Sequence, residues 1–175
     1  MSPRAISKLL QPLQRKLSQA VSRAVVRVIN DGLKMQELQL TVMADETLDG
    51  VERFQNYGFT SHPKAGAEAI TLSVGGHRSH SVAVVVDDRR YRLKSLQAGE
   101  VAIYDDLGNV IKLGRDAVSI NAVTELNITA PQTNITGDVN ITGDVTVTED
   151  VLANGISLTG HTHPGDSGGT TGAPN

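Results

Sequence analysis

The chain has no cysteine and no tryptophan, and its aromatic residues are Phe54, Tyr57, Phe59, Tyr91 and Tyr104 alone. Without cysteine there is neither a disulfide nor a thiolate metal site. Rigidity must come from packing, from association of copies, or from a metal held by histidine and carboxylate. With no aromatic residue after Tyr104, the stretch 105–175 must stabilise itself with Val, Ile, Leu and small polar side chains, which points to repetitive packing rather than a globular interior.

No apolar run approaches the roughly 20 residues of a membrane span, and the N-terminus lacks the apolar centre of a secretion signal, so synthesis and assembly in the cytoplasm are expected. A net charge of −3 gives no reason to expect nucleic acid as a partner. No Ser, His and acid constellation or phosphate loop is recognisable, and Asp105 and Asp106 fall in a turn, so the chain is not expected to be an enzyme.

What is present falls into successive patterns. Over 1–34 the charges are almost all basic, and apolar residues recur at 6, 10, 13, 17, 20 and 24, the spacing of a coiled-coil seam or an amphipathic docking face. Pro12 starts or kinks this helix, and Asn30-Asp31-Gly32 is expected to end it. It packs on its own domain, docks to neighbouring subunits, or, with less support from its narrow face, lies on a membrane.

From 36 to 113 the period becomes two, with strands expected at 37–43, 51–54, 69–74, 81–86, 101–104 and 110–113 and a hairpin turn around Gly108-Asn109. Five or six short strands in this length fit an OB-fold barrel.

The last third carries a repeat: Asn-Ile-Thr-Gly-Asp-Val at 134–139 and again at 140–145, then Thr-Val-Thr-Glu-Asp-Val at 146–151. Ile135, Val139, Ile141, Val145, Val147 and Val151 are all odd-numbered, so one face of an extended segment is apolar. One strand cannot bury such a face alone. Three identical strands around a threefold axis can, giving an intertwined triple-stranded β-helix in a homotrimer with those six residues as trimer core.

Near the end stands Gly160-His161-Thr162-His163-Pro164-Gly165. His161 and His163, two apart, project together from an extended strand, and three copies present six imidazoles. An octahedral nitrogen set suits iron(II) or nickel better than zinc. Asp166 reads as a solvated loop residue, His62, His77 and His80 as exposed loop residues, and Asp87-Asp88-Arg89-Arg90-Tyr91-Arg92 as a solvated turn or a salt-bridge cluster between subunits.

Asn56-Tyr57-Gly58-Phe59-Thr60-Ser61-His62-Pro63, Gly75-Gly76-His77-Arg78-Ser79-His80, Asp87 to Arg92, the hairpin after Gly99-Glu100, and the terminal His161-Thr162-His163, in that order, resemble the phage baseplate assembly protein V family, the Mu-type and P2-type central tail spikes of contractile tails. The resemblance implies an OB-fold base joined to the baseplate hub and tail tube, then a triple-stranded β-helix, then an apex holding one iron ion per trimer, with His161 and His163 matching the ligands. It also implies a place at the tip of the virion's tail baseplate or of an R-type particle, and mechanical puncture of the host outer membrane. Calcium and chloride occur on the axis in this family, but Asp138, Asp144 and Asp150 have the outward parity here.

The expected fold is therefore all-β with a short N-terminal helix: helical segment 1–34, OB-fold domain 35–114, triple-stranded β-helix 115–160 and metal-binding apex 161–175. The alternatives are a trimeric fibre or adhesin and, on the hexapeptide spacing, a left-handed β-helix acyltransferase.

Overall fold

The computed structural model describes residues 3–42 and 46–174. The chain divides into two compact units, Met1–Asn127 and Ile128–Asn175. It is mostly β, with one short helix and a closed five-stranded barrel in the first unit.

The helix, α1 (Pro3–Gln19), contains Pro12 and no acidic residue. Leu9, Leu10, Leu13 and Leu17 on it are exposed, and the side chain of Ile6 lies outside the described residues. The helix stops well short of the expected Asn30-Asp31-Gly32 turn, because Val21–Asn30 forms strand β1. Val21, Val25, Val26, Val28 and Ile29 are β-branched and favour extended backbone. Ala20 and Ala24 merely continued the helical spacing into a segment with the opposite preference. The junction is tied down where the Ser73 N–H donates to the Ala20 carbonyl at 2.9 Å.

The other barrel strands are β2 (Gln36–Thr41), β3 (Thr47–Arg53), β4 (Glu68–Ser73) and β5 (Ser81–Asp87). They close in the order β1-β2-β3-β5-β4, with β3 and β5 parallel and every other pair antiparallel. Register shifts between Val26 and Val28, Leu38 and Leu40, and Ile70 and Thr71 are the bulges that bend so small a barrel shut. Burial alternates strictly along β2, where Leu38 and Leu40 are fully buried, and the core adds only Ala, Val and other small aliphatics from Ala24 to Ala83. Phe54, Tyr57 and Phe59 sit exposed on the β3–β4 loop, so the scarce aromatics contribute nothing to this core.

That loop is fixed to the barrel end by Arg53. Its guanidinium donates to the Gln36 side-chain oxygen at 2.8 Å, the Ser61 carbonyl at 2.8 Å and the Ser61 hydroxyl at 2.9 Å. Burial lowers the Arg53 pKa, and the nearby Asp31 carboxylate opposes that shift.

The expected strands 101–104 and 110–113 exist as β6 (Val101–Tyr104) and β7 (Val110–Leu113), but they lie outside the barrel. They pair with β8 (Val118–Asn121) in a separate antiparallel sheet. β1 supplies the fifth barrel strand, so no edge remains for them to join. The β6–β7 turn is built on Asp105, whose Oδ1 accepts from the N–H groups of Leu107, Gly108 and Asn109, each at 2.9 Å.

In the second unit the repeat does not run as one uninterrupted strand. Gly137 and Gly143, six residues apart, have φ of +126° and +127°, a region closed to side chains with a Cβ. Glu149 occupies the equivalent position of the third repeat, where the backbone has no positive φ. No strand is assigned between β8 and the short β9 (Leu152–Ala153), which pairs with β10 (Ile156–Ser157) across Asn154-Gly155. Both turn residues have positive φ, 50° and 80°, as a type I′ hairpin requires.

Candidate functional site

Two apolar faces lie open on the single chain. In the β6–β8 sheet the register aligns Val101, Leu113 and Val118 in one row and Ile103, Ile111 and Ile120 in the next. These six share one face, and each is between 42% and 68% exposed. Ala102, Lys112 and Ser119 form the middle row of the other face, where Lys112 pairs with Glu100 at 2.9 Å. So continuous an apolar, exposed face on a three-stranded sheet is more than the scattered aliphatics of an ordinary protein surface. In the second unit Ile135, Val139, Ile141, Val145, Val147 and Val151 are likewise exposed, Ile135 by 70% and Ile141 by 61%.

The tip is built by side chains that reach back to the hairpin. Asp150 Oδ1 accepts from the Thr159 N–H at 3.1 Å, the Thr159 hydroxyl at 3.0 Å and the Val151 N–H at 2.9 Å. The Ser157 hydroxyl and then the Thr159 N–H hold the Asp150 carboxyl below the usual aspartate range. Ser157 caps the next turn, its Oγ accepting from the Gly160 N–H at 2.7 Å.

His161 and His163 come together, their ring centroids 5.1 Å apart and the planes at 87°. His161 Nδ1 lies 2.9 Å from the Ser157 carbonyl oxygen. A carbonyl can only accept, so Nδ1 carries a proton in this contact, and in the neutral ring that leaves Nε2 as the nitrogen open to a ligand. His163 is held through its backbone, its N–H donating to Thr171 Oγ1 at 2.9 Å and its carbonyl accepting from the Thr171 N–H at 2.9 Å. Among the described residues of one chain, no group of three or more His, Cys, Asp or Glu gathers to hold a metal. One copy thus brings two imidazoles together without a third such group beside them among the described residues.

Comparison with known proteins bears on the ends of the chain. The family described as Bacteriophage Mu Gp45, N-terminal, matches residues 23–90, and the GpV Apex motif matches residues 155–175. The baseplate puncturing device gp45 of Escherichia phage Mu is 42% identical over 187 residues, covering 96% of this chain and 95% of the relative. The Mu-like prophage FluMu protein gp45 of Haemophilus influenzae is 44% identical over 173 residues, covering 91% and 94%. The chain belongs to the Mu gp45 family.

Within this Mu gp45 family member, the N-terminal family match runs from β1 past β5, and the apex motif takes in β10, both histidines and the tail that returns to Thr171. Between β4 and β5, His77 lies exposed in the link between two 3-10 turns, Val74–Gly76 and Arg78–His80, and His80 is exposed at the end of the second. His62 is exposed in the β3–β4 loop, its Nδ1 3.1 Å from the Pro63 carbonyl.

The Asp87–Arg92 stretch ties elements of its own chain together. Arg90 bridges Asp88 at 2.6 Å and donates to the Ala65 carbonyl at 2.9 Å, and Arg89 and Arg23 both pair with Glu68. Lys64 pairs with Asp106, so the barrel and the β6–β7 turn share this network. Arg90 holds the Asp88 carboxyl below its ordinary value.

Sequence reasoning passed over Asp150, Ser157 and Thr171. The Asn154-Gly155 dipeptide was the available signal for the hairpin that positions Ser157. Nothing in the spacing marks Thr171, whose partner is a backbone group eight residues earlier.

Proposed function

We propose that three copies of this chain form the central spike of a contractile phage tail or tail-like particle, which punctures the host outer membrane mechanically and breaks no covalent bond. The name of the Mu relative, a baseplate puncturing device, supports the role and the location on the virion's tail baseplate. The observation that carries the trimer is the pair of exposed apolar faces, on β6–β8 and along Ile135–Val151, which one chain leaves in water. Burying twelve aliphatic side chains, six on each face, in three copies is a large hydrophobic drive, at about 1.5–3 kcal/mol for each one fully buried.

The repeat, bent at Gly137 and Gly143 and unpaired within the chain, suits an intertwined triple-stranded β-helix in which neighbouring copies satisfy the backbone. The barrel order β1-β2-β3-β5-β4 suits an OB-type base. In this reading the base joins the baseplate hub and tail tube, with α1 and its exposed Leu9, Leu10, Leu13 and Leu17 as a docking element.

At the tip, His161 and His163 of three copies would supply six imidazole nitrogens to one iron ion, whose chemistry here is to tie three chain ends together. His161 is oriented for this by the Ser157 carbonyl. Calcium or chloride on the axis finds less support, since Asp150 is committed to Val151 and Thr159.

The test is native mass together with metal analysis, on wild type and on a His161→Ala, His163→Ala variant. A trimer with about one iron, lost in the variant, is expected. A metal-free wild-type trimer overturns the cap and leaves the rod, whereas a monomer overturns the assembly.

A further inference from the structure

The Gly-rich tail after the histidine pair is not a loose end. Beyond His163 the chain turns at Gly165–Gly169, where the Gly165 N–H donates to the Gly169 carbonyl at 2.6 Å, and Pro164 bridges to Thr170. A Cβ on Gly165 would crowd the Gly169 carbonyl oxygen at 3.1 Å, and Gly168 has φ of +83°, the left-handed region that favours glycine. Its effect is to bring Thr171 back against His163. There Thr171 makes two bonds of opposite sense to one residue, accepting from the His163 N–H through Oγ1 and donating its own N–H to the His163 carbonyl, both at 2.9 Å.

The two histidines are therefore fixed differently. His161 has its ring pinned by the Ser157 carbonyl, while the His163 ring has no hydrogen bond among the described residues, meets only the His161 ring edge-on there, and takes its placement from its backbone. A ligand residue with a free ring and a loose backbone would lose orientation entropy on binding an ion, and restraint beforehand reduces that loss.

We propose that Thr171 is a positioning residue for the His163 ligand, and that the 164–171 hairpin is a latch which presets the histidine pair for an ion shared between copies. This rests on the metal-capped reading above. Thr171 acts through the backbone of His163 and touches no ion itself.

The experiment compares full-length wild type, Thr171→Val and Thr171→Ser, each purified with iron(II) under anaerobic conditions. Three quantities are read: iron per trimer, the rate at which a chelator strips it, and the thermal midpoint of the metal-free trimers. Valine keeps the backbone bond and the side-chain shape but removes the hydroxyl acceptor, whereas serine restores it. Stripping about 10-fold to 100-fold faster in Thr171→Val, recovered in Thr171→Ser, with metal-free midpoints unchanged, is the expected result.

Equal stripping rates in all three overturn the latch while leaving the metal site standing. A lower metal-free midpoint in Thr171→Val, without recovery of iron retention by serine, makes Thr171 merely structural and also overturns it. No iron in wild type overturns the metal reading and the latch with it.

Discussion

The imidazole Nδ1 of His161 donates to the backbone carbonyl of Ser157 at 2.9 Å, so the hydrogen bond that orients this ring ends on a main-chain atom. Ser157→Ala keeps that carbonyl and loses the Oγ, which caps the Gly160 N–H and also interacts with Thr159 Oγ1 and the Asp150 carboxyl. Metal content, measured by mass spectrometry, is expected to survive this change, with a stability loss of about 0.5–1.5 kcal/mol for the lost cap. A variant that no longer retains metal would show that the hydroxyl, not the carbonyl, sets the site.

The β6–β8 face makes a sharper prediction about assembly. Ile111→Asp places a carboxylate in the middle column of an apolar face, opposite Ile103 and Ile120. In the proposed trimer three such charges would share one interface without solvation, so sedimentation should give monomer. Lys112→Ser, one residue along on the opposite face, should leave the trimer intact. On the rod, Ile141→Ala removes three side chains per trimer, at roughly 2–5 kcal/mol each if buried there. Trimeric sedimentation of Ile111→Asp would detach this face from the interface.

Acid should destabilise the protein in a definite window. Asn109 holds the Asp105 carboxyl below its ordinary value, the Gln97 N–H and then Lys112 do so for Glu100, and Arg90 does so for Asp88. A depressed folded-state pKa contributes stability that is complete above the unfolded value, about 3.9 for Asp and 4.3 for Glu, and is lost as pH falls through the folded value. Denaturant midpoints should thus be insensitive to these groups above about pH 5 and fall below about pH 4. Asp105→Asn should be less stable than wild type at neutral pH, with the two curves converging in acid. Parallel curves would mean that Asp105 does not contribute to the acid dependence.

Arg53 joins β3 to the loop that carries Phe54, Tyr57 and Phe59. Arg53→Ala removes the donor for the Gln36 side-chain oxygen and two of the bonds at Ser61, inside a buried network. A loss of about 1–3 kcal/mol is expected from thermal unfolding. Faster proteolysis within 54–63 should accompany it, and unchanged cleavage there would show the loop to be held by other bonds such as Ser61 N–H to Gln55 Oε1 at 2.9 Å.

Much of this protein was legible from residue patterns because the relevant physics is local or periodic. Alternation located β2, β4 and β5, since a half-buried strand writes its two faces into neighbouring residues. The repeat picked out the aliphatic residues from Ile135 to Val151, and the His-X-His pair lies in the segment that matches the apex motif. Both are short-range signals that need no knowledge of the rest of the chain.

What the sequence alone could not decide depended on partners far along the chain. Whether Val21–Asn30 is helix or strand turned on β4, which pairs Val21 with Leu72 and Val25 with Glu68 and closes the barrel from the other side. Because β1 took that place, β6 and β7 were left to form a sheet with β8, and only their register showed that six aliphatic residues share one open face. The repeat read as one extended strand through Gly137 and Gly143 until their common φ showed a bend at the same place in both repeats. Thr171 gained its role only when the tail folded back on His163, because a hydrogen bond from a side chain to a backbone group leaves no periodic trace in sequence.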